Sequence, residues 1–245
     1  YEISCSLVGS EMCIRDRLKQ YGILTIVDSV SGMFGERVCV DDFQIDLLCG
    51  GSQKAVSAPP GLTFVVVSDD AKEKMKNRKT PIASFYANLM AFDGYYEKKW
   101  FPYTMPISDI YGLRAAFNLI AGDKTLYERH ARIGSATRAA VKEAGLKLHL
   151  QSGYSNTVTV FDIPECTDAK SILDEMRTKY NIMLAGSFDE LSGKVIRIGH
   201  MGENARLEHM VPALEALSAT LTDLGVTLQG NLADLFLKHY REFQD

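Results

Sequence analysis

Two side chains that could do chemistry follow two separate apolar runs of the sequence. Lys54 ends the motif GSQK (residues 51–54) just after the predicted strand DLLC (residues 46–49), and Asp28 directly follows the apolar residues 23–27. A lysine amine forms a Schiff base with an aldehyde, and a carboxylate beside a pyridine nitrogen keeps that nitrogen protonated, so that the ring accepts electrons. The pair therefore predicts a site for pyridoxal phosphate (PLP).

Neither residue indicates a site alone, because a turn lysine is usually a solvated charge and an aspartate after a strand is usually a cap. The carboxyl ends of adjacent parallel strands, however, meet at one edge of a sheet, where open α/β folds bind ligands. Other site types lack their motifs: the sequence has no P-loop spacing around Lys54, and no G-x-G-x-x-G, H-E-x-x-H or G-x-S-x-G. We expect no metal site, and we expect the histidines to be surface or hydrogen-bonded core residues.

A third candidate, Arg197, stands within the apolar run of residues 195–199. A cation in an apolar strand needs a partner. One interpretation is a structural ion pair, and the other is a bidentate clamp for a substrate carboxylate, which the planar guanidinium suits. The sequence leaves the two interpretations open.

The elements before Gly145 have the pattern of an α/β domain. Short continuous apolar runs predict strands buried on both faces of a parallel sheet, and these are residues 23–27, 46–49 and 62–67. Apolar spacing and end signals predict helices over residues 71–77, 107–120 and 125–144. The irregular, aromatic-rich residues 78–106 form a connection of a length that is usually functional.

After Gly145 the pattern changes to that of an α+β domain. Short strands are predicted over residues 146–150, 157–163, 182–185 and 195–198. Helices are predicted over residues 168–180 and 205–224, and as an amphipathic tail over residues 232–243 that packs on its own domain. We therefore place a domain boundary near Gly145, which gives a partial PLP-binding large domain, residues 18–145, and a small C-terminal domain, residues 146–245.

The composition indicates which partners the protein is not expected to bind and in which compartment it is expected to function. The chain has 245 residues, of which 46% are hydrophobic and 24% charged, with a formal net charge of −4. An acidic balance argues against nucleic acid or an anionic membrane as partner, and no apolar run is long enough to span a bilayer. The five cysteines are scattered, which favours reduced thiols and a cytoplasmic location.

The first residues do not read as part of the fold. Residues 1–17 show no helical or strand periodicity, and residues 6–17 closely resemble the peptide encoded by sequencing-adapter DNA read in frame. We expect a non-native segment there, and a chain that has lost its true N-terminal part.

Four motifs make the chain resemble the class V aminotransferases of PLP fold type I, particularly the alanine–glyoxylate and serine–pyruvate group. The motifs are VDSVSGMFG (27–35), GSQKAVSAPPG (51–61), YTMPISDIYGLRAA (103–116) and VIRIGHMG (195–202), and the resemblance covers residues 18–224. It implies a partial fold type I large domain, with a mostly parallel sheet and helices, followed by a smaller α+β domain. It also implies a transaminase that moves an amino group between alanine or serine and glyoxylate or pyruvate.

The resemblance assigns roles to individual residues. Lys54 is similar to the Schiff-base lysine that also moves the Cα proton, and Asp28 to the partner of the pyridinium nitrogen. Val30 matches the side chain under the ring, and Gln53 matches a phosphate ligand. Thr104 matches a phosphate ligand supplied by a neighbouring subunit, which implies a homodimer with shared active sites.

The same resemblance makes Arg197 the arginine that grips the substrate carboxylate, and it shows two departures. Phe101 stands where some relatives have a phosphate-binding tyrosine. The family's N-terminal segment, with its phosphate-binding glycine turn and ring-stacking aromatic, has no counterpart in residues 18–245, so we expect this chain alone to be weak or inactive.

Three alternatives to the transaminase stay open. A pyridoxamine–pyruvate aminotransferase shares every motif. A class V cysteine desulfurase or lyase is disfavoured, since those relatives usually carry histidine where Gln53 stands, although Cys166 could be an exposed loop thiol. A non-catalytic remnant that only dimerises has no reason to keep Asp28, Gln53 and Lys54 together.

Overall fold

The computed structural model describes residues 18–243, so the expectations for residues 1–17 lie outside the described residues. Contacts divide the described chain into two compact units. The first unit comprises residues 18–30 and 38–121, and the second comprises residues 31–37 and 122–243.

The first unit contains a three-stranded sheet of order β1-β2-β3. Its strands are β1 (Ile26–Asp28), β2 (Leu47–Gly51) and β3 (Thr63–Val67). β1 and β2 are parallel, as expected, but β3 is antiparallel to β2. The expectation that the third strand is parallel is wrong. A parallel pair needs a crossover of roughly a dozen residues or more, usually a helix, whereas residues 52–62 form a loop that leads directly back along β2.

These strands are also less buried than their apolar runs indicated. Ile26 is 74% exposed and Val65 is 42% exposed. An apolar run identifies a strand, but it does not by itself show how many layers cover that strand. The expectation of burial on both faces is therefore wrong for β1 and β3 in the described residues.

Two helices follow the strands of the first unit in the described residues. Helix α1 (Asp69–Lys76) begins after Ser68, whose hydroxyl caps it by accepting a hydrogen bond from the Ala71 amide at 3.1 Å. Helix α2 (Ile107–Gly122) begins after Pro106. Between them the aromatic-rich segment forms a single 3₁₀ turn, Leu89–Phe92, so its irregular character is confirmed.

A buried carboxylate ties the sheet to the start of α1. Asp46 accepts hydrogen bonds from the Thr25 amide at 2.9 Å, the Ser68 hydroxyl at 2.8 Å and the Lys19 amine at 2.9 Å. Burial alone would raise the pKa of Asp46, but these donors outweigh it and hold the pKa below its usual range. The strands that carry the candidate residues are thus held in register.

The second unit is built from four helices and a two-stranded antiparallel sheet. In chain order its elements are α3 (Leu126–Glu143), β4 (Val158–Asp162), α4 (Ala169–Tyr180), β5 (Val195–Gly199), α5 (Leu207–Asp223) and α6 (Leu232–Glu242). The strands predicted over residues 146–150 and 182–185 are instead single bridges, Leu148 to Phe161 and Ala185 to Arg197. Their apolar residues pack on the core, but their backbones pair too briefly to form strands.

One apolar core joins the elements of this unit. Its most buried side chains come from α3, β4, α4, β5, α5 and α6: Ile133, Phe161, Met176, Ile196, Leu214 and Phe236. Because α3 packs into this core, the main boundary between the two units lies between residues 121 and 122. Gly145, near which the sequence placed the domain boundary, therefore lies inside the second unit. The tail is confirmed as a helix packed on its own domain, with Leu232 and Phe236 fully buried.

No helix in the described part of the chain combines the length and the apolar composition that a bilayer span requires.

Candidate active site

The ends of β1 and β2 bring several of the predicted residues to one edge of the sheet. Asp28 pairs with Cys49 in the parallel register, and the Ser29 amide donates to the Cys49 carbonyl at 2.9 Å. The Asp28 carboxylate is exposed and accepts a hydrogen bond from the Val30 amide at 2.9 Å. Burial, followed by the charge of Asp28, raises the pKa of the Cys49 thiol, which keeps this neighbour neutral.

Lys54 lies in a turn that is closed by the buried side chain of Ser52. The Ser52 hydroxyl donates to the Pro59 carbonyl at 2.6 Å and accepts from the Leu62 amide at 3.3 Å. The Ser52 amide donates to the Leu62 carbonyl at 3.0 Å, and the Ser52 carbonyl accepts from the Ala58 amide at 2.9 Å. The turn is thus fixed at its base, while Lys54 at its shoulder is half-buried.

The amine of Lys54 has no hydrogen bond or ion pair with any described residue. Helix α2 supports the turn from one side, because a Cβ at Gly112 would lie 3.2 Å from the Pro59 Cδ atom. A lysine that is held by its backbone but unpaired at its amine is available to a ligand.

Gly51 separates two further candidates at the same edge. A Cβ placed on Gly51 would lie 2.8 Å from the Gln53 Oε1 atom and 3.3 Å from the Val30 Cγ1 atom. Val30 and Gln53 therefore both border the Gly51 Cα. Of the six predicted site residues, the structure gathers Asp28, Val30, Gln53 and Lys54 around the ends of β1 and β2.

Thr104 lies elsewhere in the first unit, exposed in the loop that leads into α2. The loop follows a cluster of aromatic rings. Phe101 packs there against Phe92, with ring centroids 5.7 Å apart, and the Tyr103 hydroxyl donates to the Phe85 carbonyl at 2.7 Å. The phosphate contact expected of Thr104 from a neighbouring subunit stays a prediction.

Arg197 belongs to the second unit, where it is half-buried in β5 between Val160 and Ala185. Its Nε atom donates to the Gly186 carbonyl at 2.6 Å, and its Cζ atom lies 5.7 Å from the centroid of the Phe188 ring. No carboxylate of the described residues pairs with Arg197. The interpretation as a structural ion pair is therefore not supported within residues 18–243.

The acidic residue of the facing strand is already occupied. Asp162 accepts from the Lys147 amine and from the His149 Nδ1 atom, each at 2.7 Å. The hydrogen bond from Lys147 is the main reason why the pKa of Asp162 lies below its usual value. Asp162 thus leaves the outer nitrogens of Arg197 to other ligands.

Two histidines are confirmed as hydrogen-bonded core residues. His200 is fully buried between the Thr159 hydroxyl at 2.8 Å and the Asn156 carbonyl at 3.1 Å, and burial lowers its pKa to about 3. His130 contacts the Leu126 carbonyl at 2.6 Å and accepts from the Gly202 amide at 2.9 Å, and burial lowers its pKa as well. Both rings are neutral near pH 7, and both serve the core.

Sequence reasoning missed Ser52 and the residues around Arg197. A signal for Ser52 was present, because a turn that contains two prolines supplies too few backbone donors, and a small hydroxyl at its base can replace them. For Gly186 and Phe188 there was no comparable signal, since only the bridge between Ala185 and Arg197 brings them to the guanidinium.

Comparisons with known proteins identify the family of the chain. The family described as aminotransferase class-V matches residues 11–178. An uncharacterized aminotransferase of Methanocaldococcus jannaschii is 38% identical over 86% of this chain, and the serine–glyoxylate aminotransferase of Arabidopsis thaliana is 35% identical over 98% of it.

A solved structure supports the same assignment. The pyridoxamine–pyruvate aminotransferase of Mesorhizobium loti superposes with a TM-score of 0.87 at 31% identity, over 95% of this chain. The predicted fold class, a partial α/β fold of type I, is thereby confirmed. The chain spans 56% and 62% of the length of the two relatives and 61% of the solved structure. The match to the family and these identities show that the chain belongs to the class-V aminotransferase family.

Proposed function

We propose that the protein is a PLP-dependent aminotransferase that transfers an amino group between a small amino acid, alanine or serine, and glyoxylate or pyruvate. The observation that carries the proposal is the arrangement at the ends of β1 and β2. Asp28 ends β1, and Lys54, whose amine has no partner among the described residues, lies in the turn that follows β2. Membership of the family and the names of the relatives agree with it.

The residues at this edge fit PLP by their chemistry. When bound, PLP would supply an aldehyde carbon and a ring that accepts electrons. The amine of Lys54 would bond to that carbon and, once released by substrate, would take the proton from the substrate Cα. The Asp28 carboxylate, held by the Val30 amide, would keep the pyridine nitrogen protonated.

Gln53 and Val30 would complete the contacts from this chain. Both border the Cα of Gly51, where a side chain would crowd them. The Gln53 amide would donate to the phosphate, and the Val30 side chain would pack under the ring. Thr104, which is exposed, would reach the phosphate of the partner subunit's site in a homodimer.

Arg197 would bind the carboxylate that amino acids and 2-oxo acids share. Its Nε atom donates to the Gly186 carbonyl, which leaves the two outer nitrogens for a bidentate contact.

Cys39, Cys49 and Cys166 form no disulfide bonds, which agrees with a cytoplasmic location.

A panel of amino donors tests the proposal. The chain, and the longest reading frame that contains it, would be loaded with PLP. Each would be mixed with L-alanine or L-serine and glyoxylate as amino acceptor, with pyridoxamine and pyruvate as acceptor, or with L-cysteine, and the product formed from each donor would be quantified. From the longest frame we expect pyruvate from L-alanine or hydroxypyruvate from L-serine, and no product from its Lys54→Ala variant. Pyridoxal formed from pyridoxamine alone would favour the pyridoxamine–pyruvate reaction, and sulfide from cysteine would favour a desulfurase. No product from any donor with the longest frame would refute an aminotransferase.

A further inference from the structure

The short segment that runs beside β5 holds Arg197 in one position. The Arg197 amide donates to the Ala185 carbonyl at 2.7 Å, and the Ala185 amide donates back to the Arg197 carbonyl at 3.3 Å. The guanidinium is then tied to the next residue of the segment, since its Nε donates to the Gly186 carbonyl. Backbone and side chain are therefore fixed by the same few residues.

The segment itself is seated on helix α4. A Cβ at Gly186 would lie 3.5 Å from the Leu173 Cδ1 atom, so the chain passes in ordinary contact over that helix. After Phe188 the backbone turns sharply, because Asp189 has φ of 52°, in the left-handed region that few residues other than glycine adopt. This turn begins the 3₁₀ helix Asp189–Leu191.

Phe188, at the start of that turn, is exposed and lies beside the guanidinium of Arg197. Its side chain is 61% exposed, although burial of a phenylalanine is worth roughly 1.5–3 kcal/mol. Its ring nevertheless lies within cation–π distance of Arg197, 5.7 Å from ring centroid to Cζ. A large apolar ring kept at the surface beside an unpaired cation is suited to contact a ligand of that cation.

We propose that Phe188 is a specificity-determining residue, whose ring selects among the carboxylic acids that bind to Arg197. The ring lies beside the guanidinium and contacts the small or apolar group next to the bound carboxylate. It offers no hydrogen bond to a second carboxylate and would displace water from it, which is unfavourable. The site should therefore prefer monocarboxylic acids such as pyruvate to dicarboxylic acids such as oxaloacetate. The proposal rests on the proposed role of Arg197 as the carboxylate clamp.

The test measures binding at Arg197 without cofactor or turnover. The 245-residue chain is treated with phenylglyoxal, which modifies arginines, and peptide mass spectrometry reports the modified fraction of Arg197 as pyruvate or oxaloacetate is added. We expect pyruvate to protect Arg197 at severalfold lower concentration than oxaloacetate does. In Phe188→Ala the half-protecting concentration of pyruvate should rise about two- to fivefold, because the methyl group of pyruvate loses its apolar contact with the ring, and the preference for pyruvate should disappear.

Three variants separate this role from a structural one. Phe188→Leu keeps an apolar side chain that offers no hydrogen bond, so it should keep the preference, whereas Phe188→Tyr adds a hydroxyl donor and should reduce it. Met183→Ala removes another exposed apolar side chain of the same segment, one that is 82% exposed, and should leave protection unchanged. An unchanged pyruvate-to-oxaloacetate ratio in Phe188→Ala would overturn the proposal.

The outcomes also distinguish this inference from the proposed function. Absence of protection by either acid, in a chain whose Lys54 is selectively labelled by PLP, would refute the carboxylate site and leave the cofactor site standing. The predicted protection pattern in a chain whose Lys54 is not labelled would support the role of Phe188 and contradict the proposal that this chain forms the PLP site.

Discussion

Ser52 should control how firmly the Lys54 turn is held. In Ser52→Ala the Pro59 carbonyl and the Leu62 amide lose their side-chain partner within a partly buried turn. A hydrogen bond of this kind contributes about 0.5–1.5 kcal/mol to stability. The Leu62 contact is the longer of the two, at 3.3 Å against 2.6 Å, so most of the loss comes from Pro59. We expect a total of about 1–2 kcal/mol, because the shorter bond dominates.

This free energy predicts a measurable opening of the turn. At about 1.4 kcal/mol for each tenfold change, the open population should rise about 5- to 30-fold. Hydrogen exchange resolves it, since the amides of residues 52 and 58 donate to the carbonyls of residues 62 and 52 only while the turn is closed. Their protection should fall by that factor, and PLP labelling of Lys54 should fall with it.

Ser108→Ala is the matched control, because Ser108 is an exposed serine of the same unit. Its exchange pattern in the turn should equal that of the wild type. Protection of the amides of residues 52 and 58 that is unchanged in Ser52→Ala would refute the argument that this hydroxyl closes the turn.

Three further predictions concern pH, packing and the cofactor edge. His200 has a folded pKa of about 3, so it stays neutral in the folded protein but is protonated below about pH 6.5 in the unfolded chain. As the pH falls from about 6.5 to about 3, the stability of the second unit should therefore fall by up to about 1.4 kcal/mol per pH unit. In His200→Asn the melting temperature should depend less steeply on pH over this range. Arg129→Ala should destabilise the second unit by about 2–3 kcal/mol, because Arg129 donates to the Gly202 and Ala205 carbonyls. Arg129 also bonds to Asp123, and together with other donors it outweighs burial and holds the pKa of Asp123 at about 2. Urea unfolding measures the loss, and an unchanged unfolding midpoint would contradict this prediction. Gly51→Ala should keep the melting temperature, because the flexible Gln53 side chain can move aside, but it should weaken PLP binding severalfold in an absorbance titration; equal affinity would argue against Gln53 as a phosphate ligand.

The sequence was sufficient to predict which residues share the candidate edge, because each of them follows its own strand. Asp28 and Lys54 each follow an apolar run, and parallel pairing of two runs is enough to bring them together. The direction of β3 could not be predicted from its composition, because the hydrogen bonds of Ser52 close the turn that reverses the chain.

The surroundings of Arg197 could not be predicted for a related reason. A cation in an apolar strand indicates a need for a partner, but the type of partner depends on which segment lies beside the strand. Here that segment is joined to Arg197 by one bridge, at Ala185, and its position is set by packing on α4. Long-range contacts of this kind leave no local pattern.

The central claim is that Lys54 is the lysine that binds PLP. Sodium borohydride fixes the bond between a lysine amine and PLP as a stable secondary amine, and peptide mass spectrometry then locates the label on the 245-residue chain. The account predicts that the label is concentrated on Lys54, that it is absent in Lys54→Arg, and that exposed lysines such as Lys74 carry little of it. No label on Lys54, or a label spread evenly over the surface lysines, would contradict the claim.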